Sequence, residues 1–121
     1  MAKILIIDDS PTEVHVCANM LKKNGFEVES ASNAEDGIAL AKSSQPDLIL
    51  MDVIMPGMNG FQATRSLSKD PATENIPVII VSTKNMETDR VWGIRQGAKD
   101  YVTKPVKDAV LVKKIRDLLP G

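Results

Sequence analysis

Three short runs of consecutive apolar residues punctuate the chain: Ile4 to Ile7, Leu48 to Met51 and Val78 to Val81, each bounded by turn or breaker residues. A run without polar alternation has no face to offer to water, so these three are expected as strands covered on both sides. Two further segments, Phe26 to Ala31 and Lys99 to Thr103, mix polar and apolar residues, with Glu27, Val28 and Glu29 alternating in the first, and read as edge strands. Between these segments the apolar period lengthens to that of a helix. Thr12 to Asn24 places Val14, Cys17, Ala18 and Leu21 on one face, with Ser10 as N-cap, Pro11 at the first helical position and Gly25 as the stop. Ala34 to Lys42 turns Ile38 and Ala41 inward, Asp108 to Leu119 aligns Leu111, Ile115 and Leu118, and Gly60 to Ser68 and Met86 to Gln96 complete the helices.

Strand and helix thus alternate five times, which calls for a parallel sheet with right-handed crossovers and helices on both faces. The expected fold is α/β, a doubly wound (βα)5 domain. With strands two and five at the edges, the pattern is compatible with the flavodoxin-like strand order 2-1-3-4-5. The 121 residues fit one domain, read as 1–121 with no output domain, and contain no repeat, linker or low-complexity tract.

Charge narrows the partners. Lys and Arg number 15 against 16 Asp and Glu, a formal net charge of −1, so no global field favours nucleic acid or an anionic membrane. No apolar stretch is long enough for a membrane span, and the N-terminal run is too short for a signal peptide, so a cytoplasmic protein is expected. The one cysteine, Cys17, cannot form an internal disulfide, and its helical register assigns it to packing.

In a doubly wound sheet the ligand site lies beyond the carboxyl ends of the strands, where the winding reverses. Strand one ends there in Asp8 and Asp9, strand three in Asp52, strand four in Ser82 and Thr83, and strand five in Lys104 and Pro105. Two like charges ~4 Å apart repel by about 4 kcal/mol at an effective dielectric near 20, so three converging carboxylates need a cation. Mg²⁺ suits them: it takes hard oxygen ligands and retains waters that phosphate oxygens replace. A nucleophilic carboxylate, a metal, a hydroxyl and an ammonium are the parts of phosphoryl transfer. Singly, each is an ordinary cap or surface charge; their convergence carries the reading.

At Asp8-Asp9-Ser10, Asp52-Val53-Ile54-Met55-Pro56-Gly57-Met58-Asn59-Gly60, Val81-Ser82-Thr83 and Lys104-Pro105 the chain resembles the CheY-like receiver family of response regulators over its full length. The resemblance implies that Asp52 accepts a phosphoryl group from a histidine kinase. It implies that Asp9, Asp52 and the Ile54 backbone carbonyl ligate Mg²⁺ while Asp8 acts through water, and that Lys104 pairs with the phosphoryl group through a cis bond to Pro105. Ser82 corresponds to the switch hydroxyl and Tyr101 to the aromatic residue whose rotamer follows it. Ile54 and Lys84 stand where the best-known chemotaxis member has Asn and an acid, and both flank the phosphate, so its lifetime does not transfer. Asn59 to Arg65 and Val91 to Ala98 look more like the PilH-like regulators of type IV pilus motility and phototaxis.

The resulting expectation is a monomeric phosphoacceptor protein rather than an enzyme. Its partners would be a CheA-type kinase or phosphotransfer domain and a motility protein docking on helix four, strand five and helix five. Trp92 fits there equally as a packing residue or a partner anchor, and His15 is read as a surface residue. A phosphate sink for another regulator is the alternative output. The rival enzyme, a Mg²⁺-dependent aspartyl-phosphate phosphatase, places a second Asp two residues after its nucleophile, where this chain has Ile54. A flavin module would need phosphate donors where Asp8-Asp9-Ser10-Pro11 is acidic.

Overall fold

The computed structural model describes residues 1–119; Pro120 and Gly121, the end of the expected domain, lie outside the described residues. The elements follow the alternation read from the sequence: β1 (Lys3–Ile7), α1 (Pro11–Lys23), β2 (Glu27–Ala31), α2 (Ala34–Ser44), β3 (Leu48–Met51), α3 (Gly60–Lys69), β4 (Val78–Ser82), α4 (Glu87–Arg95), β5 (Asp100–Thr103) and α5 (Asp108–Leu118). All five strands are parallel, in the order β2-β1-β3-β4-β5. The doubly wound, flavodoxin-like arrangement is therefore the one observed.

The unbroken apolar runs exist because successive side chains enter two different cores. From β1, Leu5 and Ile7 join Ile49, Met51, Val78 and Ile80 on one face, closed by Ala34, Ala41, Phe61, Ala63 and Leu67. Ile4 and Ile6 join Leu48, Leu50, Ile79 and Val102 on the other, closed by Met20, Leu21, Leu111, Val112 and Ile115. The pairings Ile7↔Met51 and Met51↔Ile80 keep each row on one face. A slip of one residue would send every one of these side chains to the opposite core.

Caps set where the helices begin. Ser10 caps α1 by accepting from the Glu13 N–H at 3.3 Å, with Pro11 at the first turn. Asn59 and Gln62 form a reciprocal capping box at α3, each side chain bonded to the other's backbone N–H at 2.9 Å. At α4 the Met86 N–H donates to Asp89 Oδ2 at 3.2 Å. These caps fix the loops that follow β1, β3 and β4, on the sheet edge where the acids converge.

Candidate functional site

Asp8 and Asp52 end adjacent strands and are both buried, at 7 % and 9 % exposure. The Asp52 N–H extends the sheet by donating to the Ile7 carbonyl at 2.9 Å, and Asp52 Oδ1 accepts from the Val53 N–H at 2.9 Å. Asp8 Oδ1 accepts from the Ser10 N–H at 3.0 Å. Both carboxylates are thus oriented by the backbone that follows them. Gly60 holds the far end of the β3–α3 loop, its N–H donating to the Val53 carbonyl at 2.9 Å. A Cβ there would stand 2.0 Å from the Asp52 carbonyl oxygen, so only glycine lets α3 start this close to the strand end.

Lys104 enters from the end of β5, with only 13 % of its side chain exposed. Its ammonium lies 3.2 Å from Asp8 Oδ2 and 3.8 Å from Asp52 Oδ1, and it pairs closely with Glu13. The Lys104–Pro105 bond is cis, as the resemblance implied. Burial alone would lower the ammonium, but Glu13, Asp52 and Asp8 outweigh it and hold Lys104 above its usual range. Asp52 moves the same way for a different reason. Burial pushes it up to about 6, reinforced by Asp8 and opposed by Lys104 and the Val53 N–H.

The acids brought together are therefore Asp8, Glu13 and Asp52, each offering a carboxylate oxygen within 4.8 Å of the others. Asp9 does not join this group. It is exposed, on the rim of a shallow groove with Asp8, Pro11 and Ala31. Glu13 went unrecognised because Ser10-Pro11-Thr12-Glu13 carries the local signature of a helix cap, and its side chain has gone to Lys104 instead. Two buried carboxylates, a third at the rim and a single ammonium suit a hard divalent cation such as Mg²⁺.

The remaining residues named from the sequence lie on β4, β5, α4 and the loops that follow β3 and β4. Ser82 is fully buried and its Oγ accepts from the Lys84 N–H at 3.2 Å, while neighbouring Thr83 is exposed. Tyr101 is buried and donates its hydroxyl to the Lys84 carbonyl at 2.7 Å; burial raises its phenol above the ordinary value. The Lys84 ammonium lies 3.7 Å from Asp89. Ile54, two residues after Asp52 in the β3–α3 loop, exposes 59 % of its surface. Trp92 is 51 % exposed on α4, with Val91 and Ile94 exposed beside it.

Between α1 and α5 a cavity of about 300 Å³ opens at Asp52 and Lys104, and Cys17 lines it. Burial pushes the Cys17 thiol up to about 11, which agrees with packing rather than nucleophilic chemistry. His15 is exposed and its ring Nε2 lies 3.2 Å from Asn19 Nδ2.

Comparison with known proteins agrees with this fold. The response regulator receiver domain family matches residues 4–116. The chain is 59 % identical over 121 residues to Protein PilH of Pseudomonas aeruginosa, covering all of both chains. It is 38 % identical over 117 residues to Response regulator PleD of Caulobacter vibrioides, covering 97 % of this chain and 26 % of that one. Among solved structures, Vibrio cholerae chemotaxis protein CheY4 superposes with a TM-score of 0.92 at 28 % identity, covering 98 % and 99 % of the two chains. The receiver domain of a Syntrophus aciditrophicus histidine kinase gives 0.90 at 35 % identity, covering 98 % and 90 %. Receiver domains take a phosphoryl group from a histidine kinase onto an aspartate in an acidic, Mg²⁺-binding pocket, and by sequence, strand order and site this chain belongs to the response regulator receiver domain family.

Proposed function

We propose that this chain is a response regulator that accepts the phosphoryl group on Asp52 and acts in a chemotaxis-like pathway controlling type IV pilus motility. One observation carries the acceptor assignment: Asp52 is the buried carboxylate at the centre of the site, flanked by Asp8 and faced by Lys104 at 3.8 Å. The pathway reading is supported by the 59 % identity to Protein PilH.

A carboxylate oxygen of Asp52 forms the new bond to phosphorus while the bond from phosphorus to the donor's imidazole nitrogen breaks, and that nitrogen keeps the electron pair. Lys104 balances the charge of the transferred group. Mg²⁺, held by Asp9, Asp52 and the Ile54 carbonyl with Asp8 through water, would neutralise the phosphoryl oxygens. The product is an acyl phosphate that water then cleaves, which makes the chain a phosphoacceptor that assists its own reset rather than an enzyme acting on a separate substrate. Ser82 and Tyr101 read the phosphate, and the face of α4, β5 and α5 carries the change to a motility protein. Ile54 and Lys84 tune the lifetime.

Acetyl phosphate with Mg²⁺ is expected to add one phosphate to the wild type and none to Asp52→Asn, read by mass spectrometry. Equal labelling of the two, or none of the wild type, ends the proposal. Lys104→Ala is expected to accept phosphate yet lose the motility response; an unchanged response would remove Lys104 from the coupling.

A further inference from the structure

Gly93 is the one buried residue of α4, a helix whose other positions are at least partly open to solvent. A Cβ added there would lie 2.8 Å from Ile80 Cδ1, 3.2 Å from Tyr101 Cδ2 and 3.5 Å from Phe61 Cε1. Ile80 is fully buried and is the in-register partner of Tyr101 across β4 and β5, so the two side chains share the face beneath the helix. Glycine weakens a helix interior relative to alanine. What position 93 provides instead is space, and the Tyr101 ring is one of the groups that uses it.

The other end of the same ring is fixed by polar contacts. The Tyr101 hydroxyl donates to the Lys84 carbonyl at 2.7 Å, and the Lys84 N–H donates to Ser82 Oγ at 3.2 Å. One peptide segment therefore joins the hydroxyl at the end of β4 to the phenol of β5. The joint holds only while the ring lies inward, because a ring turned to solvent carries its hydroxyl away from the carbonyl.

We propose that Gly93 is a positioning residue: by omitting a side chain it gives the Tyr101 ring its inward seat beneath α4, and that seat connects Tyr101 to Ser82 through the backbone of Lys84. The seat is a property of the protein before any phosphate arrives; its use in signalling rests on the reading of Asp52 as the acceptor.

The chain contains one tyrosine, so the ultraviolet absorbance of phenolate follows Tyr101 alone. In the wild type the burial of Tyr101 holds its ionisation above that of free tyrosine. In Gly93→Ala the midpoint is expected to shift down toward the free value, and in Gly93→Val further. Adding Ile80→Val to Gly93→Ala removes the atom nearest to the new Cβ and is expected to return the midpoint toward wild type. Far-UV circular dichroism identifies the variants that fold, and the alanine pair decides the matter should the valine variant not.

A wild-type midpoint in folded Gly93→Ala overturns the proposal. So does a shift that Ile80→Val leaves untouched, since that is general loosening rather than a filled seat. Asp52 of Gly93→Ala is expected to remain labelled by acetyl phosphate; loss of that labelling would place Gly93 in the fold of the acceptor site instead and overturn it as well. Failure of the wild type to be labelled would end the reading of Asp52 but leave the tyrosine titration to stand or fall separately.

Discussion

Lys104 Nζ lies closer to Asp8, at 3.2 Å, than to Asp52, at 3.8 Å. The ammonium is held by Asp8 and Glu13 more than by Asp52, and these acids keep it charged. Removing it leaves Asp8, Glu13 and Asp52 facing one another without a cation.

Lys104→Ala is therefore expected to lose on the order of 3 kcal/mol of stability at pH 7 in Mg²⁺-free buffer. Without the ammonium, Asp52 holds its proton to a higher pH, so the deficit shrinks as the pH falls toward 4 and the carboxyls protonate. Urea unfolding of both proteins across this range checks it, and Mg²⁺ should restore part of the loss at pH 7.

Asp52→Asn is expected to act in the opposite direction. Burial raises Asp52 from 3.8 in its ordinary state to about 6 in the fold. Between those values the folded chain binds more protons than the unfolded one, so stability falls as pH rises through the window. At ~1.4 kcal/mol per pH unit, the neutral amide is expected to stabilise the chain at pH 7 by a few kcal/mol at most, with the advantage gone by pH 4. Equal stability of the two proteins at pH 7 without Mg²⁺ would show that the Asp52 carboxylate is not strained by its burial.

Asp9 and Glu13 are separable by metal titration. Asp9 stands outside the group formed by Asp8, Glu13 and Asp52, while Glu13 is already paired with Lys104. If Asp9 is a direct ligand, as proposed, and Glu13 only an ion-pair partner of Lys104, calorimetry is expected to show a larger loss of Mg²⁺ affinity for Asp9→Asn than for Glu13→Gln. The reverse ranking would make Glu13 the ligand.

Gly60→Ala tests the β3–α3 loop. Helix propensity alone favours alanine by about 1 kcal/mol. The new Cβ, however, would sit 2.0 Å from the Asp52 carbonyl oxygen and 2.8 Å from Val53 Cα, backbone atoms of a buried strand end. The expected result is a net loss of about 3 kcal/mol or more, seen as a lower denaturation midpoint.

Much of this was legible beforehand. Ile4 to Ile7, Leu48 to Met51 and Val78 to Val81 announced strands because both faces of each are buried, and Asp8, Asp52, Ser82 and Lys104 were named because strand ends deliver them to one edge. Helix α4 carries little sequence signal for a physical reason: Val91, Trp92 and Ile94 are exposed, and its buried member is a glycine, so no apolar stripe marks the inward face. Glu13 escaped because a cap explains it locally. The bond from Tyr101 to Lys84 escaped because its acceptor is a backbone carbonyl, which no residue type betrays, and the close approaches at Gly60 and Gly93 depend on atoms distant in sequence.

The pairing of Lys104 with Asp8 joins residues 96 positions apart, and no covalent bridge or local turn holds them together. Their meeting depends on β1, β3, β4 and β5 all being in register, since each contributes its own end to the same edge. The site is therefore expected to be lost together with the sheet. Heat or denaturant is expected to abolish labelling of Asp52 at the same midpoint at which the sheet itself melts, so that labelling would report on the fraction folded.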